Sequence, residues 1–144
     1  MLHENILGKA VHIIEDGKMD RSKVYCVVEI KPWDGKDWCD HVIVQLGNDK
    51  RELREVDIVI APDYSLPEER MIQKYLNDNG IWTEVGGDNS RIVVSIDWGD
   101  WKHSHIWCKN LMEYLGYTQS NEIVTAENGS DCYSADHYFY RKRD

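Results

Sequence analysis

The chain has 144 residues, with 26 Asp or Glu against 17 Lys or Arg, and its formal net charge is −9. A chain of this length forms one ordinary domain or two very small ones, and it needs no disulfide or metal to fold. Phosphate backbones repel an acidic surface, so the charge disfavours direct nucleic-acid binding and favours a protein partner with a basic surface. The sequence shows no apolar run long enough to span a bilayer and no signal peptide, from which we expect a cytoplasmic protein that does not bind membranes.

The aromatic and cysteine content narrows the chemistry further. Six Trp and eight Tyr accompany a single Phe, a balance typical of surfaces where one end of each ring stays in water. The four cysteines, at positions 26, 39, 108 and 132, form no C-x-x-C pair. They therefore predict neither a zinc ribbon nor a disulfide framework, and we expect reduced thiols and no bound cofactor.

Residues 1–61 alternate β-rich runs with Gly and Asp turn signals and form the first predicted domain. The β-rich runs are Ala10–Ile14, Val24–Lys31, His41–Leu46 and Val56–Ala61. Four or five short strands joined by such turns are typical of a small antiparallel barrel. With the Gly8-Lys9-Ala10-Val11 start, the strand spacing resembles that of an SH3-like barrel, a fold that implies no function by itself.

A boundary follows at residues 62–67, and residues 62–144 form the second predicted domain. Ser65 and Glu68 have the spacing of a capping box, and Pro67 suits a first helical turn. The helix that follows ends before Gly80, a natural C′ residue. Its sequence presents one apolar face, made of Ile72, Tyr75 and Leu76.

The second domain contains a helix–strand–strand pattern twice, at an offset of 39 residues that aligns Tyr75-Leu76 with Tyr114-Leu115. The remaining predicted elements are strands Ile81–Val85 and Arg91–Ile96 around the turn 86–89, a helix over 101–115 closed by Gly116, and strands Glu122–Ala126 and Cys132–Tyr140 around an Asn128-Gly129 hairpin. We therefore expect an α+β chain, with a small SH3-like antiparallel β-barrel followed by an αββαββ unit. Its hairpins should pair into one antiparallel sheet with two helices on one face.

The window 97–108 is dense in aromatic and metal-ligating residue types: Asp-Trp-Gly-Asp-Trp-Lys-His-Ser-His-Ile-Trp-Cys. His103 and His105 suggest a metal chelate, but two residues apart on a helix their side chains point about 200° apart. Helical phase instead groups His105 with a core stripe formed by Trp101, Cys108, Met112 and Leu115. Asp100 is expected to cap the helix. The groups then left at the surface are Trp98, His103 and Trp107.

The segment 33–41 contains nearly the same residue types as 97–105. Trp33 and Trp38 are hard to place in the core of a small barrel, and carboxylates lie beside them in the sequence. Exposed Trp next to carboxylates attracts Arg, Lys or a quaternary ammonium, at about 0.5–2 kcal/mol per ring, and Trp is a preferred interface anchor. Two alternatives stay open: both rings fold over the barrel end, or Cys39 and His41 form a Cys/His pair.

Catalytic motifs are missing from the sequence. It contains no G-x-S-x-G elbow, no P-loop and no dinucleotide-binding G-x-G-x-x-G, so nucleophilic and nucleotide-dependent catalysis are not indicated. Residues 138–143 form a basic and aromatic cluster. We expect this cluster to be a solvated end that blunts a sheet edge rather than a nucleic-acid contact.

The favoured function is a non-catalytic, acidic protein-binding module or inhibitor with a basic partner. In size, charge and lack of catalytic motifs the chain resembles phage- or mobile-element-encoded inhibitors of bacterial defence systems, such as anti-CRISPR proteins, which implies a nucleic-acid-binding defence protein as target. The partner-binding residues expected are Trp33, Asp34, Asp37, Trp38, Asp40, Trp98, Asp100 and His103.

Two other function classes remain open. One is a binder of cationic ligands or peptides that uses the loop with Trp33 and Trp38. The other is a metal-dependent enzyme centred on Asp100, His103, His105 and Cys108. The favoured hypothesis assigns no catalytic residue and no metal ligand.

Overall fold

The computed structural model describes residues 6–32, 35, 39–97, 101–127 and 133–141, with side chains for all of these except 97, 101–105, 121–127 and 133–135. The chain divides into two compact units, Met1–Ala61 and Pro62–Asp144. The fold is α+β, as predicted, with two helices, and every strand pairing in the described part is antiparallel. The predicted Asn128-Gly129 hairpin and the Asp100 cap lie outside the described residues.

The first unit is one strongly curled sheet, which forms a half-barrel around its own core. Its strands are β1 (Ala10–Glu15), β2 (Lys18–Met19), β3 (Tyr25–Lys31), β4 (His41–Leu46), β5 (Asp49–Arg54) and β6 (Ile58–Ile60). They follow the order β2-β1-β3-β4-β5, and β6 also pairs with β1, through Val11, His12 and Ile13. Ile6, which precedes β1, and the inward side chains of alternate strand positions form the core; the strand residues are Val11, Ile13, Tyr25, Val27, Val42, Val44, Ile58 and Ile60.

Two features of this unit differ from the expectation. Strand β5 was not predicted, because its sequence Asp-Lys-Arg-Glu-Leu-Arg is almost entirely charged and only Leu53 packs against the core. The strand predicted at 56–61 begins later, since residues 55–57 form a single turn of 3-10 helix. Backbone pairing with β4, rather than apolar burial, therefore holds β5 in the sheet.

The second unit places two helices against a four-stranded sheet. Its elements are α1 (Glu68–Asp78), β7 (Thr83–Gly87), β8 (Arg91–Asp97), α2 (Trp101–Tyr114), β9 (Gln119–Glu127) and β10 (Tyr133–Tyr140). The sheet order is β7-β8-β10-β9. Helix α1 contacts β7, and α2 contacts β8 and β10.

The start of α1 corrects one prediction and its end confirms another. Ser65 does not form a capping box with Glu68, because its N–H and hydroxyl both donate to the carboxylate of Asp63. The Glu68 carboxylate instead accepts from the Tyr117 hydroxyl at 2.8 Å. Gly80 has the left-handed φ of +93° expected of a C′ residue. The predicted apolar face, Ile72, Tyr75 and Leu76, is fully buried.

The helices contact each other through two hydrogen bonds between polar side chains and backbone. The buried Tyr75 hydroxyl donates to the Leu111 carbonyl at 2.8 Å, and the Trp107 indole N–H donates to the Asn79 carbonyl at 3.0 Å. On α2 the predicted core stripe is confirmed where side chains are described, at Cys108, Met112 and Leu115. Trp107 is half-buried rather than exposed.

The sheet of the second unit has one buried and one uncovered side. Alternate residues of β8, namely Ile92, Val94 and Ile96, are at most 3% exposed, and they pair in register with residues of β10 that include His137 and Phe139. Residues between them point the other way and are only partly buried. These partly buried residues form the uncovered side of the sheet.

Helix α1 also closes one edge of this sheet. The outward N–H of Thr83 donates to Asn77 Oδ1, and that of Val85 donates to Gln73 Oε1, each at 3.2 Å. Two amides one helical turn apart on α1 thus satisfy two groups that an edge strand would offer to another chain.

Removing these amides should destabilise the edge strand. We expect the double variant Gln73→Ala/Asn77→Ala to lower the free energy of unfolding by about 1–2 kcal/mol, because two part-buried N–H groups lose their acceptors. Amide hydrogen exchange at Thr83 and Val85 should accelerate selectively. Lys74→Ala, on the same helix and in an exposed ion pair with Asp78, is the control and should change stability by less than about 0.5 kcal/mol. Unchanged exchange at Thr83 and Val85 would contradict this role for the amides.

The turn after β7 is shorter than predicted, because Gly86 and Gly87 belong to the strand. Gly87 has a φ of +146°, and a Cβ at this position would lie 2.3 Å from the Arg91 carbonyl oxygen. A Cβ on Gly86 would meet no atom within 4 Å. The first glycine is therefore replaceable and the second is not.

A matched pair of alanine variants tests this difference. Gly87→Ala should lower the free energy of unfolding by about 2–3 kcal/mol, through backbone strain and the clash with Arg91. Gly86→Ala should change it by less than about 1 kcal/mol, and in the stabilising direction. Denaturant unfolding of both variants measures the difference, and equal losses in the two would show that the clash does not determine the result.

Candidate functional site

The uncovered side of the second unit's sheet, called the open face here, presents polar and aromatic side chains. Strand register places one row across three strands, with Glu84 on β7 opposite Ser95 on β8 and Ser95 opposite Asp136 on β10. The other members of the open face are Gly86, Arg91, Val93, Tyr138 and Tyr140. Since a strand alternates its side chains, none of these residues takes part in the core beneath.

Trp82 stands at the margin of the open face and is the most exposed large hydrophobic residue among those described, at 77%. Its neighbours Ile81 and Thr83 are 2% and 4% exposed, so the chain is fixed on both sides of it. The Ile81 N–H donates to the Leu76 carbonyl at 2.9 Å, and the Thr83 N–H donates to Asn77. The indole is therefore held in water by a well-anchored backbone, on the same side as Glu84.

The carboxylates near Trp82 are not neutralised by the described part of the chain. Ser95 Oγ donates to Asp136 Oδ1 at 2.6 Å, which orients that carboxylate without cancelling its charge. Glu84 is exposed. Neither carboxylate forms an ion pair with any described residue. This end of the open face therefore combines an exposed indole with two negative charges.

The opposite end of the open face already holds a cation. The Arg91 guanidinium lies over the Tyr138 ring, 4.8 Å from its centroid, and the adjacent Tyr140 is 53% exposed. Stacking of this kind is a favourable cation–π arrangement. The open face thus already binds one guanidinium, that of Arg91, on an aromatic ring.

The basic cluster at residues 138–143 does not form the solvated edge that was expected. Strand β10 is an inner strand of the sheet, between β8 and β9, so it has no edge to blunt. Arg141 donates to the carboxylates of Glu68 and Glu69 at the start of α1, and these acidic partners, Glu69 first, raise the pKa of Arg141. Its charge is paired within the unit. Lys142 and Arg143 lie outside the described residues.

Most of the partner-binding residues expected from the sequence lie outside the described set. Trp33, Asp34, Asp37, Trp38, Trp98 and Asp100 are not described, and His103 is described only as part of the α2 backbone. Asp40 is half-buried, and its carbonyl accepts the Glu55 N–H at 3.0 Å. The segments 33–41 and 97–105 belong to different compact units.

The strands that bracket the segment 33–41 carry a small charged cluster. Glu52 accepts from Lys31 Nζ at 2.7 Å and lies 3.1 Å from His41 Nδ1. The bond from Lys31, followed by that from His41, lowers the pKa of the Glu52 carboxyl. These groups are exposed and join β3, β4 and β5 across the strands, so we assign them a structural role.

The metal centre suggested by the sequence stays a prediction, because His103 and His105 are described only as part of the α2 backbone and Asp100 is not described. Among the side chains that the structure describes, no group of three or more His, Cys, Asp or Glu is placed to hold a metal ion. Cys108 is completely buried, and desolvation raises the pKa of its thiol to about 12. A thiol of this kind is neither a ready nucleophile nor a ready ligand.

Comparison with known proteins gives no match, whether with protein-family models, curated proteins or solved structures. Among the described helices, none has the length and apolar character required to cross a membrane.

Sequence reasoning did not identify Trp82, Glu84 and Asp136 as a site. The strand it predicted over 81–85 nevertheless contained the signal. Alternation with the apolar residues Ile81 and Val85 directs Trp82 and Glu84 to the opposite side of the strand.

The thiols provide a direct test of the inert role assigned to Cys108. At pH 8 a thiol reagent should modify the exposed Cys26 in the native protein and leave Cys108 unmodified until denaturant is added. Peptide mass spectrometry identifies the modified cysteines. Native labelling of Cys108 as fast as that of Cys26 would restore it as a candidate reactive group.

The buried Cys108 thiol should also make stability depend on pH. The native thiol keeps its proton up to about pH 12, while the unfolded thiol ionises near 9, so this group should reduce the stability of the fold as pH rises above 9.

Proposed function

We propose that the chain is a non-catalytic, acidic protein-binding module whose partner carries a basic surface, such as a nucleic-acid-binding defence protein that the module inhibits. The surface proposed for binding is the open face of the second unit with Trp82 at its margin. The segments 33–41 and 98–103 remain proposed as additional contact regions.

The exposure of Trp82 is the observation that carries this proposal. A Trp side chain that is 77% exposed leaves a large apolar area in water, and burying it against a partner is worth about 2–3 kcal/mol by transfer of apolar area alone. Because Ile81 and Thr83 fix the backbone, little ordering of the main chain is needed on binding. Trp residues are typical anchors of protein interfaces.

Charge supports a basic partner for this anchor. Residues 62–144 contain eight Lys or Arg and fourteen Asp or Glu, so their formal net charge is 8 − 14 = −6. A negative potential steers a positive partner and raises the association rate at low salt. It also excludes partners that share the sign of the charge.

We also propose the finer description of the fold that the sequence suggested. The six-stranded half-barrel, with β6 returning to pair with β1, supports an SH3-like barrel. The order α1-β7-β8-α2-β9-β10, with the two hairpins meeting at β8 and β10, supports an αββαββ repeat. The proposed function does not depend on either description of the fold.

The test begins with affinity capture from a host lysate at low and high salt, followed by binding measurements on the purified partner. Trp82→Ala should weaken binding at least about tenfold, as the loss of an interface anchor does. Ile106→Ala removes a 59% exposed apolar side chain from α2 and is the matched control, expected to change the dissociation constant less than about twofold. The association rate should fall steeply as salt increases.

Two results would contradict the proposal. One is a captured partner with an acidic surface whose association rate does not depend on salt. The other is a dissociation constant that Trp82→Ala and Ile106→Ala leave equally unchanged.

A further inference from the structure

We propose that the end of the open face formed by Trp82, Glu84, Ser95 and Asp136, called the acidic end here, is a receptor for an arginine side chain of the partner. This inference rests on the proposed function and names the group that the surface recognises. Its occupant is a segment of the partner protein that presents arginine.

Register determines how the acidic end is arranged. Glu84, Ser95 and Asp136 lie on three adjacent strands, so the two carboxylates stand on backbones about 10 Å apart, with a short serine between them. Ser95 Oγ donates a hydrogen bond to Asp136 Oδ1. Trp82 borders the row on the β7 side, one residue before that strand begins.

The chemistry of the row fits a guanidinium better than other cations. Arginine presents five N–H donors in a plane, so it can donate to a carboxylate at its edge while its face covers an indole. It is also hydrated more weakly than an ammonium and loses less on entering such a site. Lysine offers the charge without the planar face, and a neutral side chain offers neither.

The chain itself provides an internal comparison on the same face. Arg91 lies over Tyr138 at 4.8 Å at one end of the open face, whereas at the acidic end no described cation occupies the corresponding place beside Trp82. Glu84 and Asp136 form no ion pair with any described residue. An arginine from outside would give the acidic end the pairing that Arg91 gives the other end.

Nuclear magnetic resonance of the six indole N–H groups, using the full chain, tests this directly. Loss of one signal in Trp82→Phe assigns the Trp82 indole. Three peptides of equal length and Gly spacing serve as probes: one carries arginine, one lysine, and one citrulline, which keeps the shape of arginine without its charge. The Trp82 indole should shift saturably with the arginine peptide, several-fold more weakly with lysine, and not at all with citrulline.

Charge-reversal variants separate local recognition from overall charge. Glu84→Lys should weaken binding of the arginine peptide about tenfold, since it places a like charge inside the receptor. Glu113→Lys makes the same change in net charge on α2, where Glu113 is half-exposed in a loose pair with Lys109, and should weaken binding less than about threefold. Backbone amide shifts in the titrations give both affinities.

The outcomes distinguish this inference from the proposed function. Equal shifts with the lysine and arginine peptides, or equal effects of the two reversals, would overturn the arginine receptor. So would shifts confined to indoles other than Trp82, and in that case salt-dependent binding of a basic partner would still stand. The proposed function itself fails on the partner and salt measurements and on the comparison of Trp82→Ala with Ile106→Ala described for it.

Discussion

The second unit depends on the antiparallel pairing of β8 with β10, which runs in register from Asp97 opposite Ser134 to Arg91 opposite Tyr140. This pairing joins two hairpins into one sheet. It also decides which side chains meet the helices, because a one-residue slip of β8 against β10 would turn Ile92 and Val94 outward and bring Arg91 and Ser95 into the core. Exposing that apolar row and burying those polar groups would both be unfavourable. The core and the open face are therefore two consequences of one register.

Contacts at the margins of the sheet anchor the strands that present the open face. The side-chain amides of α1 close the edge of β7, and Arg141 ties the end of β10 to the acidic start of α1. Trp82 lies between two buried residues in this framework, so its exposure follows from the strand alternation rather than from a loose chain. An exposed indole on an anchored backbone, on the same face as two carboxylates, suits a partner that brings both apolar area and positive charge.

Periodicity in the sequence was sufficient for most elements, because α1 and β8 bury one clear apolar face each. It failed where burial is not what holds an element. Strand β5 is charged and held by its backbone pairing, and Ser65 bonds to Asp63 because that carboxylate is two residues away and better placed than the helix N-terminus. For the site, the windows 33–41 and 97–105 each contain two Trp and give the denser sequence signal, whereas Trp82 stands alone and its exposure follows only from the alternation in its strand. The pairing of Arg141 with Glu68, far away in sequence, has no local pattern that could predict it.

The central claim is that the open face with Trp82 is buried by a basic partner. Hydroxyl-radical footprinting measures this most directly, since it reports the solvent accessibility of individual side chains and Trp and Tyr react strongly. In the complex, oxidation of Trp82 and Tyr140 should fall severalfold relative to the free chain, while oxidation of Ile106 on α2 stays the same. Oxidation of Trp82 at the rate of the free chain in a saturated complex would show that the partner binds elsewhere.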